Sequence, residues 1–386
     1  MIAVRSALAA LALAGLLPAN AFAQDRPVEL AAEITVDAVG QVAGAGGRAV
    51  RALTNIDLTA DIDLGAIAAW QGAKAHIYVL DNRGARPNDS IGTIQGVDNI
   101  EVPDAGLRLF EAWVEQDLGS GASLRMGLYD VNSEFYANDA AGLLIAPPFG
   151  IGSELAATGP NGPSIFPSSA LAARLHVPLG ASGTFVRLGV VNARASTLGD
   201  EGGVDFSFRD GVLLIAEVGQ GEGRLRGSLG AWTYTRNPED LIETKPDGTP
   251  LREASRGVYG VLEGDLMSGE SRTLTAFLRV GLSESHATPF RAGFQAGLYM
   301  APALPGRPDS QVSLGVHHAW TGNHYRDLMR AQGEEPGDES TVELTLSDRI
   351  LPWLALQPDV QWIHNPGAYR NAPDALLAIL RTTISF

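Results

Sequence analysis

The sequence predicts an all-β protein, a transmembrane antiparallel β-barrel of about sixteen strands with short periplasmic turns and long extracellular loops. Three observations carry that expectation. Apolar and polar residues alternate through most of the chain, a period that separates the faces of a strand and scatters around a helix. The connections between these runs alternate between tight Gly/Ser turns and long polar excursions. The last run, residues 375–386, ends on its apolar face at Phe386, as expected of a closing strand whose outer face meets lipid.

The amino terminus predicts export. Arg5 precedes an apolar run from Ala7 to Leu17, Pro18 ends it, and Ala21-Phe22-Ala23 has the small-x-small form a signal peptidase accepts. Residues 1–23 therefore read as a signal peptide and residues 24–386 as the barrel. No later run approaches the roughly 18 uninterrupted apolar residues of a membrane helix. The 386 residues include 45 Gly, 22 Pro and no Cys, with a formal charge of -16. Without cysteine there is no disulfide framework, thiol nucleophile, cysteine metal site or lipoprotein anchor. The acidity argues against nucleic acid as a partner, because phosphates require a basic surface.

The strands follow in order. Val28, Leu30, Ala32, Ile34 and Val36 alternate with Glu29, Glu33, Thr35 and Asp37 in the run to Ala38. From Val50 to Leu64, the Ile56, Leu58, Ala60 and Ile62 face opposes Asn55, Asp57, Thr59, Asp61 and Asp63. Similar runs cover Ala66 to Leu80, Leu107 to Leu118, Ser123 to Asp130, Ala170 to Val177, Thr184 to Ala193 and Gly211 to Gly219. Gly223 to Thr235, Gly257 to Leu266, Arg272 to Ser283, Gly293 to Met300 and Ser310 to Trp320 continue the series. Thr341 to Leu346, Trp353 to Ile363 and the terminal run complete it.

Short links are expected at Gly65, Gly119 to Ala122, Leu179 to Gly183, Gln220 to Glu222 and Met267 to Ser271. Long ones lie between them, at 81–106, 131–169, 194–210, 236–256, 321–340 and 364–374. A barrel inserted from the periplasm sorts its connections this way, and a soluble sandwich has no reason to.

The runs LFEAWVEQDL at Leu109 to Leu118, LRMGLYDVNSEFY at Leu124 to Tyr136 and PFGIGSELAATGPNGPSIFPSSALAARL ending at Leu175 resemble the carbohydrate-selective porins of the OprB type. So do PDVQWIHNPG at Pro358 to Gly367 and the ending LRTTISF. The resemblance implies a sixteen-stranded barrel in the outer membrane of a Gram-negative bacterium, surrounded by lipid and admitting glucose and other sugars by diffusion. It also implies that the terminal aromatic is read by the outer-membrane insertion machinery. Neither a cofactor nor a metal is expected, and monomer and homotrimer both stay open.

Parity puts Arg125, Arg174, Arg187, Arg226 and Arg279 on the inner face with Glu111, Glu115, Glu263 and Glu343. Trp113, Tyr129, Trp232, Tyr234 and Tyr299 share it. A charged inner wall needs water beside it, so the lumen reads as a filled channel. Fixed donors and acceptors replace a sugar's hydration, and an aromatic face packs on its C–H bonds. Arg125, Glu111 and Trp113 are expected to form a narrow sugar site. Each of these residues also has a plainer role, solvating the lumen or, for Trp113 and Trp232, anchoring the membrane interface. The 131–169 loop is the expected candidate to fold into the barrel, with an external cap as its alternative. A general or cation-preferring porin remains the alternative function.

Enzyme motifs are missing: no Gly-x-Ser-x-Gly elbow, no phosphate loop and no His-Glu-x-x-His pair occurs. Alternation sends the adjacent His317 and His318 to opposite faces, so they cannot chelate one ion together.

Overall fold

A single amphipathic run leaves its apolar face and its backbone polar groups unsatisfied. Pairing into a closed sheet meets both needs at once, because closure removes the edges that lipid cannot hydrogen-bond. The computed structural model describes residues 26–386 apart from 46, 181, 270 and 271; the expected leader, 1–23, lies outside them. Sixteen strands close the barrel: β1 (Val28–Ala43), β2 (Val50–Asp63), β3 (Ala73–Gly84), β4 (Gly106–Gly119), β5 (Ala122–Tyr129), β6 (Ala170–Pro178), β7 (Thr184–Asn192), β8 (Val212–Gln220), β9 (Leu225–Tyr234), β12 (Arg256–Ser268), β13 (Thr273–Ser283), β14 (Phe290–Ala301), β15 (Gln311–Thr321), β16 (Glu339–Leu351), β17 (Leu354–His364) and β18 (Ala375–Ser385). The small hairpin β10 (Glu239–Thr244) and β11 (Pro250–Arg252) stands in the β9–β12 loop. Every neighbouring pair is antiparallel. The barrel shuts where β1 meets β18, with Asp37 opposite Arg381.

The lipid face is the one alternation predicts. Leu58, Met126, Leu188, Leu229, Leu262, Leu314, Leu344 and Leu380 are all exposed outward. His317 is buried inside, whereas His318 pairs with Trp320 and Phe294, on the opposite face of β15 as expected.

The turn between β4 and β5 is Ser120-Gly121, both at positive φ (54° and 79°), which matches the twist of a two-residue hairpin. The expected third strand and its one-residue link are corrected. Asp63 accepts the Ala66 N–H at 3.1 Å and caps a short helix, Leu64–Ala68, so β3 begins at Ala73 rather than Ala66.

Two loops fill much of the lumen. The 130–169 segment takes the inward course, burying Phe135, Tyr136, Leu144, Ile145, Phe149 and Leu155. The 85–105 segment, expected among the outer excursions, also turns inward. Its Val97 and Ile100 pack on Leu377, Ile379, Val39 and Leu53, inner-face apolar residues that need cover. The Asn99 N–H donates to the Ile145 carbonyl at 3.0 Å and ties the two loops together.

Candidate functional site

Wall carboxylates hold the long loop by its backbone. Glu343 on β16 accepts the N–H groups of Ile145 and Ala146 at 2.5 and 2.9 Å. Glu263 on β12 accepts Ala140 N–H at 2.7 Å, and Glu217 on β8 accepts Tyr136 N–H at 3.1 Å. Arg279 on β13 does the converse, donating to the carbonyls of Tyr136 (2.6 Å), Gly150 (2.8 Å) and Phe149. A loop in a lumen has many backbone groups without partners in a ladder, and these wall side chains satisfy them.

This corrects part of the expected channel lining. Arg279 is 0% exposed and Trp232 3%, both covered by the loop, so neither faces the open lumen. Trp232 and Tyr234 pack in one buried cluster with Tyr129, Phe135 and Leu155, which also removes Trp232 from the membrane interface.

The other expected residues converge on the wall made by β4 to β7. Register places Glu115 opposite Arg125, and Arg125 opposite Arg174. Two guanidiniums side by side repel unless carboxylates come between them. Glu115 Oε2 lies 2.6 Å from Arg125 Nη2 and 2.7 Å from Arg174 Nη2. Glu134, from the loop, lies 2.7 Å from Arg174 Nε and accepts the Tyr129 hydroxyl. Arg187 donates to the Glu134 carbonyl at 2.5 Å and to Glu217 at 3.1 Å. Burial works to raise the Glu134 carboxyl, but the Arg125 and Arg174 guanidiniums and the Tyr129 hydroxyl hold it below its ordinary value. Glu134 is therefore an anion under physiological conditions.

Above this network Trp113 donates its Nε1–H to Glu111 at 3.0 Å, and Glu111 also accepts the Asp130 N–H at 3.1 Å. A bulge at Phe110 resets the parity of β4, since Tyr78 pairs with Glu111 while Val79 pairs with Leu109. Phe110 and Glu111 thus both point inward. The result is a line of rings along β3 and β4: His76 stacks on Trp113 (5.0 Å), Tyr78 meets Phe110 edge-on (5.2 Å) and Phe110 meets Phe166 (6.1 Å). Arg226 stands apart, bound to Glu263 at 2.5 Å and Asp265 at 3.3 Å.

Open space lies on both sides of the network. Below it, a cavity of about 370 Å³ is lined by Lys74, Glu115, Ser123, Arg125, Glu134, Arg174 and Arg187. Glu134, Arg187 and Arg226 also line an adjoining space of about 260 Å³. Toward the outer mouth, a cavity of about 740 Å³ is bounded by Arg108, Phe166, Asn161, Arg194 and Asp200.

Sequence reasoning missed His76, Tyr78, Phe110 and Glu134. Parity within β3 aligns His76 with Tyr78, which was a usable signal. Phe110 was hidden by the bulge, and Glu134 lies in a loop without a period.

Among curated proteins, no sequence match was found. OprB of Pseudomonas putida in its high-pH structure superposes with a TM-score of 0.83 at 19% identity, covering 93% of this chain and 94% of that one. Its low-pH structure gives 0.58 at 16%, covering 93% of each chain. The outer-membrane channel DcaP of Acinetobacter baumannii gives 0.59 at 13%, covering 93% and 97%. At these identities the likeness is one of fold. The family model described as carbohydrate-selective porin, OprB family, matches residues 47–386. With a closed sixteen-stranded barrel, a charged lumen and that match over most of its length, the chain belongs to the OprB family of carbohydrate-selective porins, channels of the Gram-negative outer membrane.

Proposed function

We propose that this porin passes monosaccharides such as glucose by diffusion through a narrow zone whose polar wall is Glu115, Arg125, Arg174, Glu134 and Arg187. The reading rests on the bridged guanidiniums, with Arg125 and Arg187 each 14% exposed and the cavity of about 370 Å³ beside them. Their donors and carboxylate acceptors stand on rigid strands, so a sugar can exchange its water for fixed partners without reorganising the site. Occupancy is shallow by design, since a conducted solute has to leave as readily as it enters. Arg226 extends the lining, while Glu111, Trp113 and Tyr129 hold it from behind.

The chain's charge of -16 favours a cation-preferring pore, but the narrow zone itself balances three guanidiniums, Arg125, Arg174 and Arg187, against three carboxylates, Glu115, Glu134 and Glu217. A cation gains little there. Titrating glucose against single-channel current separates the two: a saturating block supports sugar selectivity, and a linear decline with strong cation selectivity supports the general pore.

The same reading includes removal of residues 1–23 on export, periplasmic placement of both chain ends, and delivery by the insertion machinery through Phe386. The barrel acts in lipid as a monomer or a homotrimer.

A further inference from the structure

Outside the lumen, three outer connections meet at a cluster the channel does not use. Asp240 in β10, His286 in the β13–β14 connection and His324 in the helix Asn323–Ala331 bring one ligand atom each within 4.8 Å of one another. The Asp240 side chain is fully enclosed. Its Oδ1 is occupied by the N–H groups of Ile242 and Glu243 at 2.9 and 2.8 Å, which aims Oδ2 at the imidazoles. His324 Nδ1 lies 2.8 Å from that oxygen and His286 Nδ1 3.7 Å. The two rings meet edge to face, 4.6 Å between centres.

A plain Asp–His ion pair explains one imidazole and leaves the second without a purpose, since both Nδ1 atoms converge on one carboxylate oxygen. A cation at that convergence satisfies all three. Two imidazole nitrogens and one carboxylate oxygen suit a transition metal, whereas magnesium and calcium prefer all-oxygen sets. Three protein ligands leave an open position for water. With Nδ1 on the metal, His324 Nε2–H points toward Glu243 Oε1, 3.7 Å away, the kind of outer carboxylate that fixes a ligating imidazole. The connections are already aligned, because the Leu241 N–H donates to the His286 carbonyl at 2.9 Å.

We propose that Asp240, His286 and His324 bind a divalent transition metal of the zinc class and so staple three extracellular connections of the barrel to one another.

The test uses full-length, untagged, detergent-folded protein titrated with Co²⁺ and then Zn²⁺, followed by visible absorption and calorimetry. One Co²⁺ per barrel with the intense d–d bands of a four- or five-coordinate ion, displaced by Zn²⁺, is expected. His286→Ala and His324→Gln should each abolish those bands while keeping the heat-modifiable gel mobility of a folded barrel. A second surface His–Asp pair, His364 with Asp374, serves as control, and His364→Ala should leave the bands unchanged. Absence of the bands in the parent, or their survival in either of the first two variants, overturns the proposal.

Discussion

The Arg125 guanidinium lies 3.8 Å from the centre of the Trp113 indole, across the register between β4 and β5. His76 stacks on the same indole from β3, so Trp113 sits between two partners and serves as a platform for Arg125 rather than as a bare face for a sugar ring. Arg125→Ala should weaken saturable glucose block on the order of tenfold to a hundredfold, the factor matching about 1.5–3 kcal/mol for a charged hydrogen bond. Trp113→Ala should cost less, about 0.5–2 kcal/mol, through loss of the cation–π contact. Glucose titration of single channels measures both. If both variants keep the parent's saturation and alter only ion selectivity, these residues merely solvate the lumen.

Arg174, 2% exposed between Glu115 and Glu134, is the keystone of the network. Arg174→Ala leaves two carboxylates crowded in the wall and should destabilise the barrel by about 3–5 kcal/mol. In a background already carrying Glu115→Gln and Glu134→Gln the same change should cost far less, because removing Arg174 there strands no carboxylate. Denaturant unfolding in detergent gives both values. Equal costs in the two backgrounds would show that the bridges carry no coupling energy.

Gly281 on β13 leaves room for a loop carboxylate. A Cβ there would overlap the Glu154 carboxylate. Gly281→Ala should push the turn Ser153–Ala156 off the wall and give larger, noisier single-channel currents. Parental conductance and noise in that variant would mean the loop is positioned by its other anchors alone, Glu343 and Arg279 among them.

Asp130, at the root of the loop, is pushed by burial, and next by the Glu111 carboxylate, from 3.8 up to about 8. The folded chain keeps a proton there that the unfolded chain has lost, so the loop's stability falls as pH rises from 3.8 to about 8 and levels off above it. Asp130→Asn should flatten this dependence. Hydrogen-exchange protection of the Val131–Phe135 amides, compared at about pH 5 and about pH 8, reads it. A parent whose protection rises over that interval contradicts the prediction.

Phe386 is exposed at 39%, and its N–H donates to the Ala32 carbonyl at 2.9 Å. Simple burial of the ring accounts for about 2 kcal/mol. Phe386→Ala should therefore lower outer-membrane yield in cells much more than refolding into detergent. Losses of equal size would assign the residue to packing rather than to recognition by the insertion machinery.

Alternation is a local property, which is why strand number, lipid face and the inward direction of Glu115, Arg125, Arg174 and Arg187 were legible residue by residue. The helix Leu64–Ala68 escaped because a single capping carboxylate, Asp63, overrode an apolar run that also fits a strand. The bulge at Phe110 escaped because it is a relation between β3 and β4 and belongs to neither sequence alone.

What only the tertiary structure decided is which inner residues face water. Arg279 and Arg125 have the same parity and the same chemistry, yet one is sealed beneath the loop and the other borders the cavity. A loop has no period to read. Its course is set by long-range pairing of its backbone with carboxylates such as Glu343, 197 residues from the Ala146 it holds, and that match exists only once the barrel has closed.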